Sequence, residues 1–211
     1  MDETLKKQLE ITACKVRLGI LEGVFNAKSG HPGGSLSIAD LLTYLYFSKM
    51  NVYPDKPEEP ERDRLVLSKG HTAPALYATL AEKGFFPKEE LKSLRHIGAM
   101  LQGHPCISIP GVDMSSGSLG QGISVACGMA LSGKLTSDIY KVYTILGDGE
   151  IEEGQVWEAA MFAAHYKLDN LVAVVDNNGL QIDGKIEDVM SPYPIVDKFA
   201  AFGWQDRKSV V

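Results

Sequence analysis

Two apolar runs separated by one short helical segment constrain the fold more than any other feature of the sequence. Val142–Leu146 and Leu171–Val175 have the length and composition of buried strands. Residues 151–166 between them carry small apolar side chains at helical spacing, namely Val156, Ala159, Ala160, Ala163 and Ala164. A strand–helix–strand crossover gives parallel strands that end at the same edge of a sheet. We therefore predict an α/β fold with a doubly wound, mostly parallel sheet and helices on both faces.

Polar residues follow each of these two strands. Asp148 comes after the first strand and Asn178 after the second. A carboxylate, an amide oxygen and a backbone carbonyl, for which Leu180 is the candidate, make a half-shell of oxygen ligands that suits Mg²⁺, with phosphate and water completing it. Gly149 lets the backbone approach a ligand, and a helix beginning near Ile151 would point its positive end there. The pattern predicts a metal–diphosphate site.

Gly-Asp-Gly at 147–149 and Asn-Asn-Gly at 177–179 are each typical of a turn when they stand alone, so the specific signal is their order and spacing. Gly-Asp-Gly at 147–149 followed by Asn178 resembles the thiamine diphosphate signature. The surrounding letters are similar to transketolases, especially Glu153-Gly154, Glu158-Ala159, Leu168-Asp169-Asn170-Leu171 and Gln181-Ile182-Asp183-Gly184. The resemblance implies the thiamine diphosphate-binding fold. It also implies thiamine diphosphate as cofactor, Gly149 and Asn178 as cofactor-binding residues, and Mg²⁺ (or Ca²⁺) held by Asp148, Asn178 and the Leu180 carbonyl.

Three histidines, His31, His71 and His104, stand in turns of the form Gly-His, two of them followed by proline. A histidine in a loop is more often structural than catalytic, but the transketolase resemblance reverses that interpretation. The matching residues imply that His31 faces substrate, that His71 approaches the diphosphate, and that His104 lines the substrate channel. Because imidazoles exchange protons near neutral pH, we assign catalytic roles to His31 and His104.

The turn 115–122 leads into an apolar segment that predicts a helix from Ile123 to Leu135. A glycine-rich helix start alone is a weak signal, but this one is similar to the Gly-x-Leu-Gly-Gln-Gly loop of transketolases. That similarity implies backbone contacts to the thiamine portion from Gly117, Ser118 and Leu119, with Ser118 where proline is frequent.

Glu153 and Glu158 lie in the helix of the crossover, five residues apart, so they do not share one face well. One interpretation is a solvated acidic helix start formed by Glu150, Glu152 and Glu153, which the helix dipole favours. The resemblance implies another, in which matching glutamates belong to a hydrogen-bond network at the subunit interface. We assign that role, and a catalytic one, to Glu153, and favour it only slightly for Glu158.

Composition narrows the classes of partner. The net charge of −6 argues against nucleic acid and anionic membranes. Nothing at the acidic start resembles a signal peptide, and no apolar run is long enough to span a bilayer. Its three cysteines form no CxxC pair, which favours reduced thiols and a cytoplasmic location.

The resemblance covers residues 1–204, and we expect residues 1–211 to form a single diphosphate-binding domain that is incomplete at its C-terminus. After Phe202-Gly203-Trp204 the family continues into another apolar strand and an Asp-Gly-His loop, whereas residues 205–211 do not match. The pyrimidine-binding domain, which supplies the glutamate that activates the cofactor, is not in this sequence. A second chain is therefore implied, a C-terminal transketolase subunit, in a homodimer or heterotetramer.

The implied function is that of a transketolase N-terminal subunit of the pentose phosphate pathway, transferring a two-carbon ketol unit between ketose and aldose sugar phosphates. The alternatives are a 1-deoxyxylulose-5-phosphate synthase, a 2-oxo acid dehydrogenase subunit, or a non-catalytic cofactor-binding or assembly subunit. The three histidine turns favour transketolase over the other thiamine enzymes, because polyhydroxylated substrates need many polar contacts.

Overall fold

A three-stranded parallel sheet lies at the centre of the protein. The computed structural model describes residues 1–182 and 184–207. Strands β1 (Arg64–Leu67), β2 (Val142–Gly147) and β3 (Leu171–Asp176) are hydrogen-bonded in the order β1-β2-β3. Leu67 pairs with Ile145, and Gly147 with Asp176, so the carboxyl ends of all three strands meet at one edge. The crossover predicted from the two apolar runs is therefore present.

Helices occupy both faces of this sheet. The helices of the described residues are α1 (Glu3–Ala27), α2 (Pro32–Ser37), α3 (Ala39–Tyr44), α4 (Ala73–Lys83), α5 (Gln121–Thr136), α6 (Gly154–His165), α7 (Ile186–Val189) and α8 (Ile195–Ala201). Shorter 3₁₀ segments span Gly70–Thr72, Lys88–Ser93 and Glu150–Glu152, and a π-helical turn spans Leu45–Lys49. A small antiparallel pair, β4 (Leu180–Gln181) and β5 (Gly184–Lys185), follows β3.

Successive side chains of each strand point to opposite faces of the sheet, and this divides the core into two layers. Leu65 and Leu67 of β1 belong to a buried cluster with side chains of α1, α3 and α4. Val66, between them, belongs to a second cluster with side chains of α5 and α6. Tyr143 and Ile145 of β2 join the first layer in the same way. The sheet is therefore covered on both sides, as the sequence predicts.

The expected helices differ from the observed ones at their ends. The segment His31–Ser35, expected to be an irregular turn, runs into α2, because proline is favoured in the first turn of a helix. The sequence of Ile38–Lys49 predicts one helix, which in the structure becomes π-helical after Tyr44. The sequence of Pro87–Ile97 predicts a short helix, but the structure has only a 3₁₀ segment there, and Arg95 beyond it has a left-handed backbone.

None of the helices in residues 1–182 and 184–207 is long and apolar enough to cross a membrane. Two features interpreted above fall partly outside the described residues. Asp183 of the Gln181–Gly184 motif is one, and residues 208–211 of the C-terminal segment are the other.

Candidate active site

The segments that follow the three strands lie side by side at the carboxyl edge of the sheet. Two hydrogen bonds extend the ladders beyond the strands: the Lys69 amide donates to the Ile145 carbonyl at 3.2 Å, and the Asp148 amide donates to the Asp176 carbonyl at 3.2 Å. The side chains at positions 68–71, 148–150 and 176–178 are therefore neighbours, although they are distant in the sequence.

Asp148 connects the turn after β2 to the turn after β3. Its side chain is buried, with 2% exposure. One carboxylate oxygen accepts the Gly149 amide at 3.0 Å, and the other accepts the Gly179 amide at 2.8 Å. The Asn178 side-chain oxygen accepts the Leu180 amide at 2.9 Å. The structure thus brings together the residues that the sequence predicts as metal ligands, Asp148, Asn178 and Leu180.

The chemistry of this group fits a divalent cation. Among the described residues, no lysine or arginine forms an ion pair with Asp148, so its buried charge is offset only by two amide dipoles. A buried carboxylate in that state is costly, and a bound cation would lower the cost. The described residues also contain no cluster of three or more His, Cys, Asp or Glu side chains with metal-binding geometry. A cation here would therefore need amide, carbonyl and ligand oxygens besides Asp148, which is what Mg²⁺ accepts.

A buried ion pair, which sequence reasoning missed, crosses the same edge. Lys69 is 1% exposed, and its Nζ lies 2.5 Å from Oδ2 of Asp176. The other oxygen of Asp176 accepts the Ser37 hydroxyl at 2.7 Å, and the Asn178 side-chain amide also points to Asp176, at 3.4 Å. Asp176 therefore orients the Asn178 side chain with its oxygen directed away from the ion pair. A lysine and an aspartate directly after two strands of one sheet were the available signal.

His31 and His71 meet edge to face, with ring centroids 5.1 Å apart. Burial, and then the charge of Lys69, lower the pKa of His71 to about 4. Burial, followed by the charges of Arg95 and His104, lowers the pKa of His31 below its usual value. Both imidazoles are therefore neutral at neutral pH, and each has a nitrogen that accepts a proton or a hydrogen bond.

The glycine-rich turn 115–122, called the glycine turn below, lies between the turns that carry His71 and His104. A Cβ on Gly117 would lie 3.3 Å from Cδ2 of His104, and a Cβ on Gly70 would lie 2.9 Å from the Gly117 nitrogen. The Tyr77 hydroxyl donates to the His104 carbonyl at 2.8 Å and fixes the third turn. Gly117, Ser118 and Leu119 are exposed, so their backbone is open to a ligand, as the predicted cofactor contact requires.

The acidic start of the crossover helix is not a uniform solvated cluster, so that interpretation is wrong for Glu150. Glu150 is 2% exposed, and burial raises the pKa of its carboxyl. It accepts the amides of Gly120 at 2.9 Å and Gly147 at 3.0 Å, together with the Ser68 hydroxyl. Because Glu150 turns inward, α6 begins only at Gly154 rather than near Ile151.

The two glutamates assigned to an interface network, Glu153 and Glu158, are both exposed. Glu153 lies at the glycine turn, where a Cβ on Gly120 would lie 2.8 Å from the Glu153 Cβ. Its carboxylate is therefore free to meet a ligand or another chain near the cofactor-binding turn. Gly149, the remaining predicted cofactor residue, lies under the Gln181 side chain, to which an added Cβ would approach within 3.2 Å.

Comparison with known proteins decides the family. The model of the transketolase thiamine diphosphate-binding domain matches residues 9–210. The chain belongs to the transketolase family. The resemblance inferred from the sequence motifs is thereby confirmed, and the matched part is the thiamine diphosphate-binding domain of transketolases. Because the match continues to residue 210, the expectation that the family resemblance ends at Trp204 is wrong for residues 205–210.

Two relatives are themselves subunits of transketolases. The chain is 50% identical to one of the subunits of the apulose-4-phosphate transketolase of Phocaeicola vulgatus, over 93% of this chain and 70% of that protein. It is also 50% identical to a 6-deoxy-6-sulfo-D-fructose transketolase subunit of Clostridium sp., over 93% of this chain and 72% of that protein. These matches support the prediction of an N-terminal subunit.

Full-length transketolases match over a smaller share of their length. Human transketolase is 45% identical over 96% of this chain, but the match covers 33% of the human protein. The solved structure of Leishmania mexicana transketolase superposes with a TM-score of 0.89 at 31% identity, over 92% of this chain and 31% of that chain. The transketolase of Campylobacter jejuni gives 0.88 at 32% identity, over 96% of this chain and 33% of that chain. The predicted α/β fold is confirmed.

Proposed function

We propose that this chain is the diphosphate-binding, N-terminal subunit of a split transketolase, which transfers a two-carbon ketol unit between ketose and aldose sugar phosphates. The observation that carries the proposal is the convergence of Asp148, the loop 178–180, three histidines and the glycine turn at one edge of a parallel sheet. We further propose that residues 1–211 belong to one domain, and that the protein acts in the cytoplasm in the pentose phosphate pathway.

One group of residues would hold the cofactor and its metal ion. Thiamine diphosphate, when bound, supplies the carbanion chemistry that cleaves and forms carbon–carbon bonds. Asp148, Asn178 and the Leu180 carbonyl would hold Mg²⁺ (or Ca²⁺), which anchors the diphosphate. Gly149 and the turn Gly117–Leu119 would present their backbone to the cofactor.

The histidines would serve the substrate and the phosphates. His31 and His104 are exposed, His104 beside the glycine turn and His31 against the His71 ring, where they would accept or return protons of sugar hydroxyls. His71 is more buried and adjoins the Lys69 ammonium, so it would donate a hydrogen bond toward the diphosphate rather than carry charge.

A partner chain is part of the proposal. The relatives that this chain covers most fully are named as subunits, so a C-terminal chain that carries the pyrimidine-binding domain would complete the enzyme. The exposed carboxylate of Glu153 is the group that we expect to meet it. Two copies of each chain, a heterotetramer, would place a cofactor site at each interface, in contrast to a homodimer of this chain. Light scattering on the mixed chains distinguishes the two assemblies.

Calorimetric titration of thiamine diphosphate tests the site. The titration is made with Mg²⁺, with Ca²⁺ and with EDTA, into this chain alone and into its mixture with a pyrimidine-domain chain from a split relative. We expect metal-dependent binding that tightens in the mixture and is lost in Asp148→Asn. Asp169→Asn, at the opposite end of β3 and largely exposed, is the matched control and should bind as the natural sequence does. Binding that is indifferent to Asp148 would refute the assignment.

Product analysis tests the reaction. The mixture is supplied with xylulose 5-phosphate and ribose 5-phosphate, with pyruvate, and with the substrates named for the relatives, apulose 4-phosphate and 6-deoxy-6-sulfofructose. Two-carbon transfer from a ketose supports the proposal. Turnover of pyruvate instead would assign the chain to another thiamine enzyme, and cofactor binding without any turnover would indicate a binding or assembly subunit.

A further inference from the structure

Arg95 lies between the turns that carry His31 and His104. Its Nη1 donates to the Ser29 hydroxyl at 3.1 Å, two residues before His31. On the other side its guanidinium lies against Gly103, the residue before His104. A Cβ on Gly103 would be 3.2 Å from Nε, 3.3 Å from Nη2 and 3.4 Å from Cζ. One side chain therefore touches both turns.

The backbone holds Arg95 in place by an unusual conformation. Its φ of 63° lies in the left-handed region, which residues with a Cβ rarely adopt. Its amide donates to the carbonyl of the buried Leu101 at 2.8 Å, and the Gln102 side chain donates to the carbonyls of His96 and Ala99. The loop 95–102 is thus closed on itself and directs one arginine toward the site. Strained conformations of this kind concentrate at functional sites.

The guanidinium fork explains why the residue is arginine. The planar guanidinium bonds the Ser29 hydroxyl through Nη1, while Nε, Nη2 and Cζ all lie close to Gly103. Lysine would supply the charge but not the planar group. The absence of a side chain at Gly103 is equally necessary, because the contact is already close.

We propose that Arg95 is a positioning residue that fixes the separation of the His31 and His104 turns and so aligns both imidazoles on the substrate. The proposal rests on the proposed function for its kinetic part only. The charged or titratable groups around the His31 imidazole are the His71 ring, the His104 ring and the Arg95 guanidinium itself.

Three variants separate charge, geometry and simple stability. Arg95→Met removes the charge and the fork, Arg95→Lys keeps only the charge, and Gly103→Ala displaces the guanidinium by adding one methyl group. Lys92→Met is the matched control, because Lys92 is 60% exposed and its nearest carboxylate, that of Glu22, is 3.7 Å away. Each variant is melted thermally and assayed with the partner chain for kcat and KM.

The ring of His31 is also titrated by NMR in the isolated chain, with His31→Gln used to assign the signal. We expect Arg95→Met to raise the pKa of His31, and Arg95→Lys and Lys92→Met to leave it close to that of the natural chain. In turnover, Arg95→Met, Arg95→Lys and Gly103→Ala should each lower kcat about tenfold to a hundredfold. Their melting temperatures should stay near that of Lys92→Met.

The outcomes remain distinguishable if the proposed function fails. If the natural chain shows no turnover, the NMR titration decides the placement of Arg95 on its own, and an unchanged His31 in Arg95→Met overturns the inference. If turnover is present and Arg95→Lys retains full kcat, a positioning role for the fork is overturned. A loss of activity that merely follows the melting temperature in all variants also overturns it.

Discussion

Gly122 is the position where the cost of a single methyl group follows most directly from the structure. It lies in the first turn of α5, buried against the turn after β1. A Cβ there would be 2.5 Å from the Ser68 hydroxyl oxygen and 2.6 Å from both Cα and Cβ of Ser68. Ser68 cannot yield easily, because it is fully buried and its hydroxyl donates to Glu150. Gly122→Ala must therefore push α5 away from the sheet.

The magnitude follows from overpacking. An added methylene in a packed core costs roughly 1–3 kcal/mol. For a chain of this length each kcal/mol lowers the melting temperature by about 2–4 °C, so Gly122→Ala should melt about 2–12 °C below the natural chain. Gly128 on the same helix is the control, because it is exposed and a Cβ there would meet nothing within 4 Å. Gly128→Ala should gain about 0.5–1 kcal/mol from helix propensity.

Thermal melts followed by circular dichroism, repeated in urea to obtain the free energy of unfolding, measure both variants. The reasoning requires opposite signs for two identical substitutions in one helix. If Gly122→Ala is as stable as the natural chain, or if Gly128→Ala is destabilised as much as Gly122→Ala, the close packing of α5 on Ser68 is refuted.

Three further perturbations have definite expected results. Glu150→Gln should lower the free energy of unfolding in urea by about 2–3 kcal/mol, because one of the three buried donors then faces the NH₂ of the glutamine and loses its acceptor. The control Glu89→Gln, at an exposed position, should leave the free energy of unfolding unchanged. Because the pKa of His71 is about 4 in the folded chain against 6.5 for the free side chain, its contribution to stability is present above pH 6.5 and is lost as the pH falls through 4. We expect the free energy of unfolding, measured in urea between about pH 4 and pH 7, to rise more steeply with pH for the natural chain than for His71→Asn. Equal slopes against pH would contradict the burial of the ring. A thiol reagent at about pH 8 should label the exposed Cys14 at once but Cys127 only after unfolding, since burial raises the pKa of Cys127 to about 11.

The sheet and its crossover could be predicted because their signals are local. Val142–Leu146 and Leu171–Val175 are continuous apolar runs, and both strands extend only one residue beyond the predicted ends. The parallel arrangement then follows from chain connectivity and places Asp148 beside the loop 178–180 without any further information. Residue types at strand ends were therefore sufficient to predict which side chains meet at the candidate site.

The polar groups that hold the site together could not be found in this way. The hydrogen bond between Ser68 and Glu150 joins residues 82 apart, and the ion pair between Lys69 and Asp176 joins residues 107 apart. In the sequence Glu150 is one acid among several, and nothing local indicates that it alone turns into the core. Helix ends were missed for the same reason, since the inward turn of Glu150 delays α6 and the left-handed Arg95 stops the segment before it.

Asp148 and Asp176 show what tertiary structure adds to such a pattern. Each aspartate closes or follows a strand of the same sheet, and each precedes a glycine within three residues, so sequence pattern alone gives them equal claims on a metal. The structure separates them by charge. Asp176 already has the Lys69 ammonium and the Ser37 hydroxyl, so a cation there would compete with a buried ion pair. Asp148 has only amide donors among the described residues, and its negative charge is the one that still lacks compensation. Electrostatics therefore favours Asp148 as the proposed metal ligand and Asp176 as the support of Asn178, although both aspartates lie at the same edge.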